Sequence, residues 1–269
     1  MDLSNLTKNR IKDYLAEGKR FDNRGLLDFR EISIETNVVK NAEGSARVKI
    51  GKTEVLAGVK MDIAEPYTDH ENEGTLITTL ELLPLASPRF EAGPPKIESI
   101  EMARIIDRGI RESKFIDFGK LCIKEGEKVW GIFLDIFPMN DDGNLLDAAF
   151  IAAVAALRTA KIPKYDEKTF KVSYGEFSTK NVPLTKNVPL TLTFHKIGNH
   201  VFLDPVVEEE EASEARISLA FSDGDINSLQ KGNETAFELK ELFEIFEAAE
   251  KKWKEMNKKI SDLIEKSIK

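Results

Sequence analysis

A chain of 269 residues that is 41% hydrophobic and 32% charged has enough apolar material for one large domain or two intimately packed halves, which excludes both a peptide-sized module and a disordered chain. Its formal charge of −8 excludes a surface that is basic throughout, so any contact with nucleic acid is confined to a local stripe. A single cysteine, Cys122, excludes an intramolecular disulfide framework and a cysteine-based zinc cage, and its apolar, strand-like surroundings predict a buried thiol.

In chain order, residues 3–16 read as a short helix. The opening stretch MDLSNLTKNRIKDYLAEGKR has no apolar signal-peptide core, and no window approaches the roughly 18 apolar residues of a membrane span, so a cytoplasmic setting is expected. REISIETNVV, SARVKIGKTEVLAGVKMDI and TLITTLELLPL read as strands, with turns at Glu43-Gly44 and Gly51-Lys52. The Pro-rich loop PLASPRFEAGPPK interrupts this pattern, and IESIEMARIIDRGIRES resumes as a helix. LCIKEGEKVWGIFLDIFPM predicts a hairpin around Glu125-Gly126. A turn and an Ala-rich helix follow in DDGNLLDAAFIAAVAALRTA, where small side chains permit close packing against a sheet.

Residues 161–186 turn polar and Lys-rich, and KNVPLT stands twice in succession over residues 180–191, which marks the expected seam between halves. Beyond it, PLTLTFHKIGNHVFLDPVV and ARISLAFSDGDINSLQKG predict hairpins on Gly198-Asn199 and Asp223-Gly224. A long amphipathic helix closes the chain, with Leu239, Leu242, Phe246, Ala249, Trp253, Met256, Ile260 and Leu263 as its apolar seam, expected to lie on the sheet. Hairpins followed by helices, twice, predict an α+β protein of two similar βα halves, 1–162 and 163–269.

Several motifs read as ordinary structure. GSARVKIGKT has six residues between its glycines where a phosphate loop needs four, and it lies between strands, so it predicts a hairpin. His195 and His200 flank a turn with no third ligand nearby and are expected at the surface. In EEEEASE, four consecutive glutamates on an extended segment would point alternately to opposite faces, which suits a solvated turn better than a metal cage. NDDGNLL opens the Ala-rich helix and could hold an anion on exposed N–H groups, but it lacks Lys, Arg, Ser and Thr, so a plain helix start is the simpler reading. Arg104, Arg108 and Arg111, at i, i+4 and i+7, form a positive ridge opposite Ile105, Ile106 and Ile110. Glu101 and Asp107 are near enough to neutralise it in a salt-bridged solvent face.

Taken together, GKRFDNRGLLDFREISI, GSARVKIGKTEVLAGV, ELLPLASPRFEAGPP, ARIIDRGIRES, GNLLDAAFIAAVAAL and LDPVVEEEEASEARISLAF resemble the RNase PH-like subunits of the archaeal exosome, over roughly residues 18–260. The resemblance implies the RNase PH fold, two βα halves of the ribosomal protein S5 domain 2-like kind. It also implies a role in 3′-to-5′ phosphorolytic RNA degradation, with phosphate as the attacking group. Active members of the family place Gly-Ser-Arg before the Ala-rich helix to hold phosphate, and a catalytic aspartate two residues after the Glu of a Glu-Ala-Asp stretch. Here the turn reads Gly143-Asn144-Leu145, and Arg216 follows Glu214-Ala215. Leucine cannot neutralise phosphate and arginine cannot accept a proton.

The resemblance is therefore to the non-catalytic ring subunit. It implies a catalytic RNase PH-like partner in a hexameric ring of three heterodimers, RNA-binding cap proteins, and single-stranded RNA as ligand, with no cofactor or metal of its own. It also implies that Arg104, Arg108 and, less centrally, Arg111 contact RNA phosphates near the neighbour's active site. Two alternatives stay open: an active nuclease using Asp204, Glu214 or Asp223 in a rearranged site, and a free RNA-binding scaffold.

Overall fold

The computed structural model describes residues 4–268. The first helix, α1 (Asn5–Ala16), starts at Ser4, whose hydroxyl accepts from the Thr7 N–H at 3.2 Å. This is an ordinary N-cap that satisfies one of the orphan donors of the first turn. Residue 3 of the expected helix lies outside the described residues. Ile11 and Leu15 of α1 bury against Ile197, Phe202 and Ala212 in a small satellite core.

The first half builds β1 (Ile32–Thr36), β2 (Gly44–Ile50), β3 (Thr53–Ala64) and β4 (Thr75–Leu80). Helix α2 (Ile97–Glu112), β5 (Cys122–Lys124) and β6 (Lys128–Asn140) follow. One sheet runs β1-β2-β3-β6-β4, with β5 paired to β6; every pairing is antiparallel except β4 with β6. Strand β3 alternates buried and half-buried residues from Thr53 to Met61, as a strand with one face on a core must. The Ala-rich helix α3 (Leu145–Thr159) is buried at every position from Leu145 to Leu157. A helix buried on every side has no solvent face to offer, so α3 is enclosed between β2 and β3 of the first sheet and a strand of the second.

The expected seam is not a loose linker. It forms a two-stranded arm, β7 (Lys161–Tyr165) and β8 (Val172–Asn181), whose strands pair with each other. The expected boundary at residue 162 falls inside β7. The second half adds β9 (Leu190–Ile197), β10 (His200–Leu203), the short helix α4 (Val207–Ala212), β11 (Ala215–Ser222), β12 (Asp225–Gly232) and the terminal helix α5 (Leu239–Ile268). Its sheet runs β10-β9-β11-β12, antiparallel throughout.

Helix α5 packs within the chain, against β1, β9 and β11. Its buried stripe is Ile245, Ala249, Trp253, Met256, Ile260 and Ile264. Four of these are in the expected seam, but Leu239 is 69% exposed and Ile245 and Ile264 replace the outer members. The pattern of a helix fixes its apolar face; the lateral tilt on the sheet selects which of two adjacent apolar rows is innermost. The indole N–H of Trp253 donates to the Val188 carbonyl at 3.2 Å, so the one polar atom of the largest side chain in the stripe is satisfied.

Two further expectations change in three dimensions. Cys122 is only half-buried, because β5 is a short edge strand. His195 is 2% exposed rather than at the surface, because β9 is covered on both faces and every one of its residues is buried.

Candidate functional site

The site develops where the start of α3 meets α4, β11 and α2. A cleft of about 590 Å³ opens there, lined by Leu145, Glu210, Arg216, Glu101, Arg89 and Asp141 among others. Gly143, at φ 81°, turns the chain into α3 so tightly that a Cβ would lie 2.5 Å from the Pro205 carbonyl oxygen, which only glycine permits. Asn144 follows in a left-handed conformation and caps nothing with its side chain; its Nδ2 donates instead to Asp204 at 2.8 Å.

The N–H groups at this helix start are the natural anion seat. The chain fills it from within: the Asn144 N–H donates to a Glu210 carboxylate oxygen at 3.1 Å. Burial, reinforced by the charge of Asp141, pushes the Glu210 carboxyl above its ordinary range. The glutamate run is thus not the solvated turn expected from its sequence. It forms helix α4, whose residues leave in different directions at about 100° per residue. Glu209 turns inward to Arg20, Glu210 to the α3 start, and Glu211 to Arg89 at 3.3 Å, while Glu208 remains exposed. Among the described residues no group of three or more His, Cys, Asp or Glu is arranged to hold a metal ion.

Arg216 occupies the middle of the cleft wall. Its guanidinium donates to Glu101 of α2 at 2.8 Å and lies on the backbone of its cross-strand neighbour Gly232, where a Cβ would come within 2.8 Å of Nε. Its Nε is buried without a partner. Beside it on β9, His195 is held neutral, its pKa pushed down to about 3 by burial and by the charges of Arg216 and Arg20. An arginine and a buried, neutral histidine thus stand side by side at this point of the sheet.

The alternative acids do not line this cleft. Asp204 is fully buried and receives Arg24 at 2.8 Å and Arg30 at 2.8 Å. Its burial opposes ionisation, but the hydrogen bonds and charge of Arg30 outweigh it and hold the carboxyl below the ordinary range. Glu214 pairs with Lys12 at 2.6 Å, and Asp223 sits in the exposed β11–β12 turn. Arg20, Arg24 and Arg30 with Asp204 and Glu209 form a buried ionic cluster that local reading of the sequence missed. Its signal lay in GKRFDNRGLLDFR and LDPVVEEEE, but partners about 180 residues apart leave no periodicity to detect.

The positive ridge on α2 divides. Arg111 is drawn into the fold: it pairs with Asp107 at 3.2 Å, donates to the Leu76 carbonyl at 3.0 Å and lies 5.6 Å from the Phe118 ring centre. Arg104 and Arg108 stay exposed and border a groove of about 340 Å³ against Ser228, Leu229 and Gln230 of β12. Of the two acids expected to mask the ridge, Asp107 pairs with Arg111 at its end and Glu101 with Arg216 across on β11, and neither pairs with Arg104 or Arg108.

Two family models match the chain: the 3′ exoribonuclease family domain 1 over residues 28–163 and domain 2 over residues 187–252. An exosome complex component Rrp42 of Methanosarcina acetivorans is 44% identical, covering 94% of this chain and 93% of that relative. The Rrp42 of Pyrococcus abyssi is 43% identical, covering 98% and 97%. Among solved structures, a chain of the Archaeoglobus fulgidus exosome with RNA bound to the active site superimposes with a TM-score of 0.87 at 38% identity, covering 94% of this chain and 97% of that one. A chain of an archaeal exosome core gives 0.84 at 35% identity, covering 95% and 96%.

Proposed function

The chain belongs to the 3′ exoribonuclease family of RNase PH proteins, and from that premise we propose that it is a non-catalytic ring subunit of an exosome, gripping RNA beside a catalytic RNase PH-like partner. The observation that carries this reading is the state of the cleft at the α3 start. Leu145 stands where the family's phosphate-binding arginine would be, the anion seat is filled by the chain's own Glu210, and Arg216 stands clamped on Glu101 in the place of the catalytic acid. A phosphorolytic site must neutralise an incoming phosphate and position an acid or base. This cleft meets the first with the carboxylate of Glu210, and at the place of the second it holds Arg216.

What the chain offers instead is Arg104 and Arg108, exposed and without acidic partners among the described residues. Guanidinium contacts to phosphodiester oxygens position a strand without reading its bases, which suits an enzyme that must degrade any sequence. Arg111, committed to Asp107 and the Leu76 carbonyl, takes the smaller part. The similarity to Rrp42 proteins and exosome chains supports a hexameric ring of three heterodimers, carrying RNA-binding cap proteins and working in the cytoplasm. No helix among the described residues is long and apolar enough to cross a membrane.

Phosphate-dependent release of nucleoside diphosphates from RNA tests the reading. The purified chain is expected to release none, and the ring reconstituted with a catalytic paralogue is expected to release them. Losing a positioned acid or base costs about 10² to 10⁴ in rate before the lost phosphate clamp is counted. Robust release by the chain alone, surviving Arg216→Ala, overturns it.

A further inference from the structure

The Lys-rich segment 161–186 runs against the overall charge of the chain. It holds six lysines against three acids in a protein of net charge −8. In the fold it becomes the β7–β8 arm and the strand-free stretch that follows. Lys161, Lys164, Lys168, Lys171, Lys180 and Lys186 are all exposed. Only Lys164 has an acidic partner in this segment, Glu176 at 3.3 Å. Two aromatic side chains stand out among them, Tyr174 at 59% and Phe177 at 36% exposure. A buried lysine pair or a salt-bridged face would have explained the charge, and neither is present here.

The arm is not an isolated appendage. Its base is stapled to the C-terminal end of α2: the Asp117 N–H donates to the Pro183 carbonyl at 2.9 Å, the Thr185 N–H to the Phe115 carbonyl at 2.8 Å, and the Thr185 hydroxyl to the Lys114 carbonyl at 2.9 Å. The exposed Lys114 therefore sits against the segment that carries Lys186. From Arg104 the helix advances about 12 Å to its end at Glu112, and Lys114, two residues further on, brings a cation beside the base of the arm. Further out, Tyr165 of β7 meets Trp130 edge-on at 5.3 Å, and Lys60 of β3 lies 5.2 Å from the Tyr174 ring centre. The arm is thus anchored by apolar and aromatic contacts, while its lysines stay exposed and only Lys164 is paired.

We propose that the β7–β8 arm extends the RNA track of α2, holding the phosphodiester backbone of a single strand on Lys164, Lys168, Lys171 and Lys180 and offering Tyr174 and Phe177 to unstacked bases. Exposed cations interleaved with aromatic faces are the chemistry that binds single strands without sequence preference. The proposal rests on the reading of α2 as an RNA contact, and it adds a second contact region with a different length requirement. A strand long enough to leave α2 gains the arm; a short one does not.

The test measures salt-dependent binding of fluorescent oligoadenylates, one just long enough to cover α2 and one several times longer, to the ring assembled from the full-length chain. The variant K164A/K168A/K171A is expected to bind the short strand as the parent does. It is expected to bind the long strand more weakly, with the slope of log affinity against log salt reduced by about 2, at about 0.7 per lost single-strand contact. Arginine at the same three positions should restore the slope, since the contact needs charge rather than lysine itself. The variant R104A/R108A should weaken both strands. If that variant alone is without effect, the α2 reading fails while the arm's length-dependent loss still stands on its own. Unchanged long-strand binding by the arm variant overturns the proposal. So does unchanged RNA binding together with lost ring or cap assembly in sedimentation, which would make the arm a protein-docking surface.

Discussion

Arg20, Arg24 and Arg30 sit on the segment before β1, and Arg104 and Arg108 on α2, and the two groups put the same side chain to opposite uses. The first three are 0%, 13% and 9% exposed, and their guanidiniums are consumed by Asp204, Glu209 and backbone carbonyls of the loops that lead into α3 and α4. The second pair is exposed, and the nearby acids are taken by other arginines. What separates them is the pairing rather than the local sequence, since each set has Asp or Glu close by. A guanidinium with its donors satisfied inside the chain holds loops together. One left unsatisfied at the surface is available to a phosphate.

The sharpest way to break this comparison is to open the buried cluster. Arg30→Ala leaves Asp204 fully buried with one cation fewer, and removing one partner of a buried pair costs about 3 to 5 kcal/mol. Denaturant unfolding should show that loss, and a loss under about 1 kcal/mol would mean the cluster behaves like a surface network.

A second perturbation uses pH, because two buried acids here shift in opposite directions. Asp204 is held low, so its stabilisation is present above the ordinary carboxyl range and lost as pH falls through its folded value. Asp147 of α3, buried and hydrogen-bonded by Thr193 at 2.7 Å, is pushed by burial to about 7. Between its ordinary value near 3.8 and about 7, the folded state holds a proton that the unfolded state has lost, so stability falls as pH rises through that window. His195, neutral in the fold down to about 3, contributes the opposite slope below its ordinary 6.5, so Asp147→Asn should remove the fall and make the melting temperature climb more steeply with pH between about pH 4 and 6.5. A variant with the parent's full slope in that window would show that Asp147 ionises normally.

Arg111 stands between the two classes. Its pair with Asp107 is part-exposed and its Phe118 contact is at the surface, so Arg111→Ala should cost about 0.5 to 1 kcal/mol. The smallest stability effect belongs to Arg104→Ala with Arg108→Ala, within about 0.5 kcal/mol of the parent. That same double variant should reduce the magnitude of the salt slope of RNA binding by about 1.4 in the assembled ring. Equal losses on polyadenylate and on mixed sequences would mark backbone contacts. A large stability loss with an unchanged slope would move these arginines into the same class as Arg30.

The elements themselves were legible. Alternation in TEVLAGVKM, the all-apolar run of the Ala-rich helix and the turns at Gly198-Asn199 and Asp223-Gly224 each carry a period or a turn residue that short-range sterics enforce. The departures at Leu145 and Arg216 were legible too, because they are substitutions at positions that the family resemblance marks for chemistry. The glutamate run was misread because composition could not distinguish a short helix from an extended turn. Once coiled, Glu209, Glu210 and Glu211 leave in different directions to Arg20, Asn144 and Arg89.

The sequence by itself determined which side chains exist and their local periods, and with them the α+β character, the missing phosphate clamp and acid, and the arginine ridge. Tertiary structure alone decided which charges survive as free charges. Coulomb energy and hydrogen bonding depend on distance and burial rather than on chain separation. Asp107 and Glu101 were equally near the ridge in sequence, and only the fold drew one to Arg111 and the other across to β11, leaving Arg104 and Arg108 exposed.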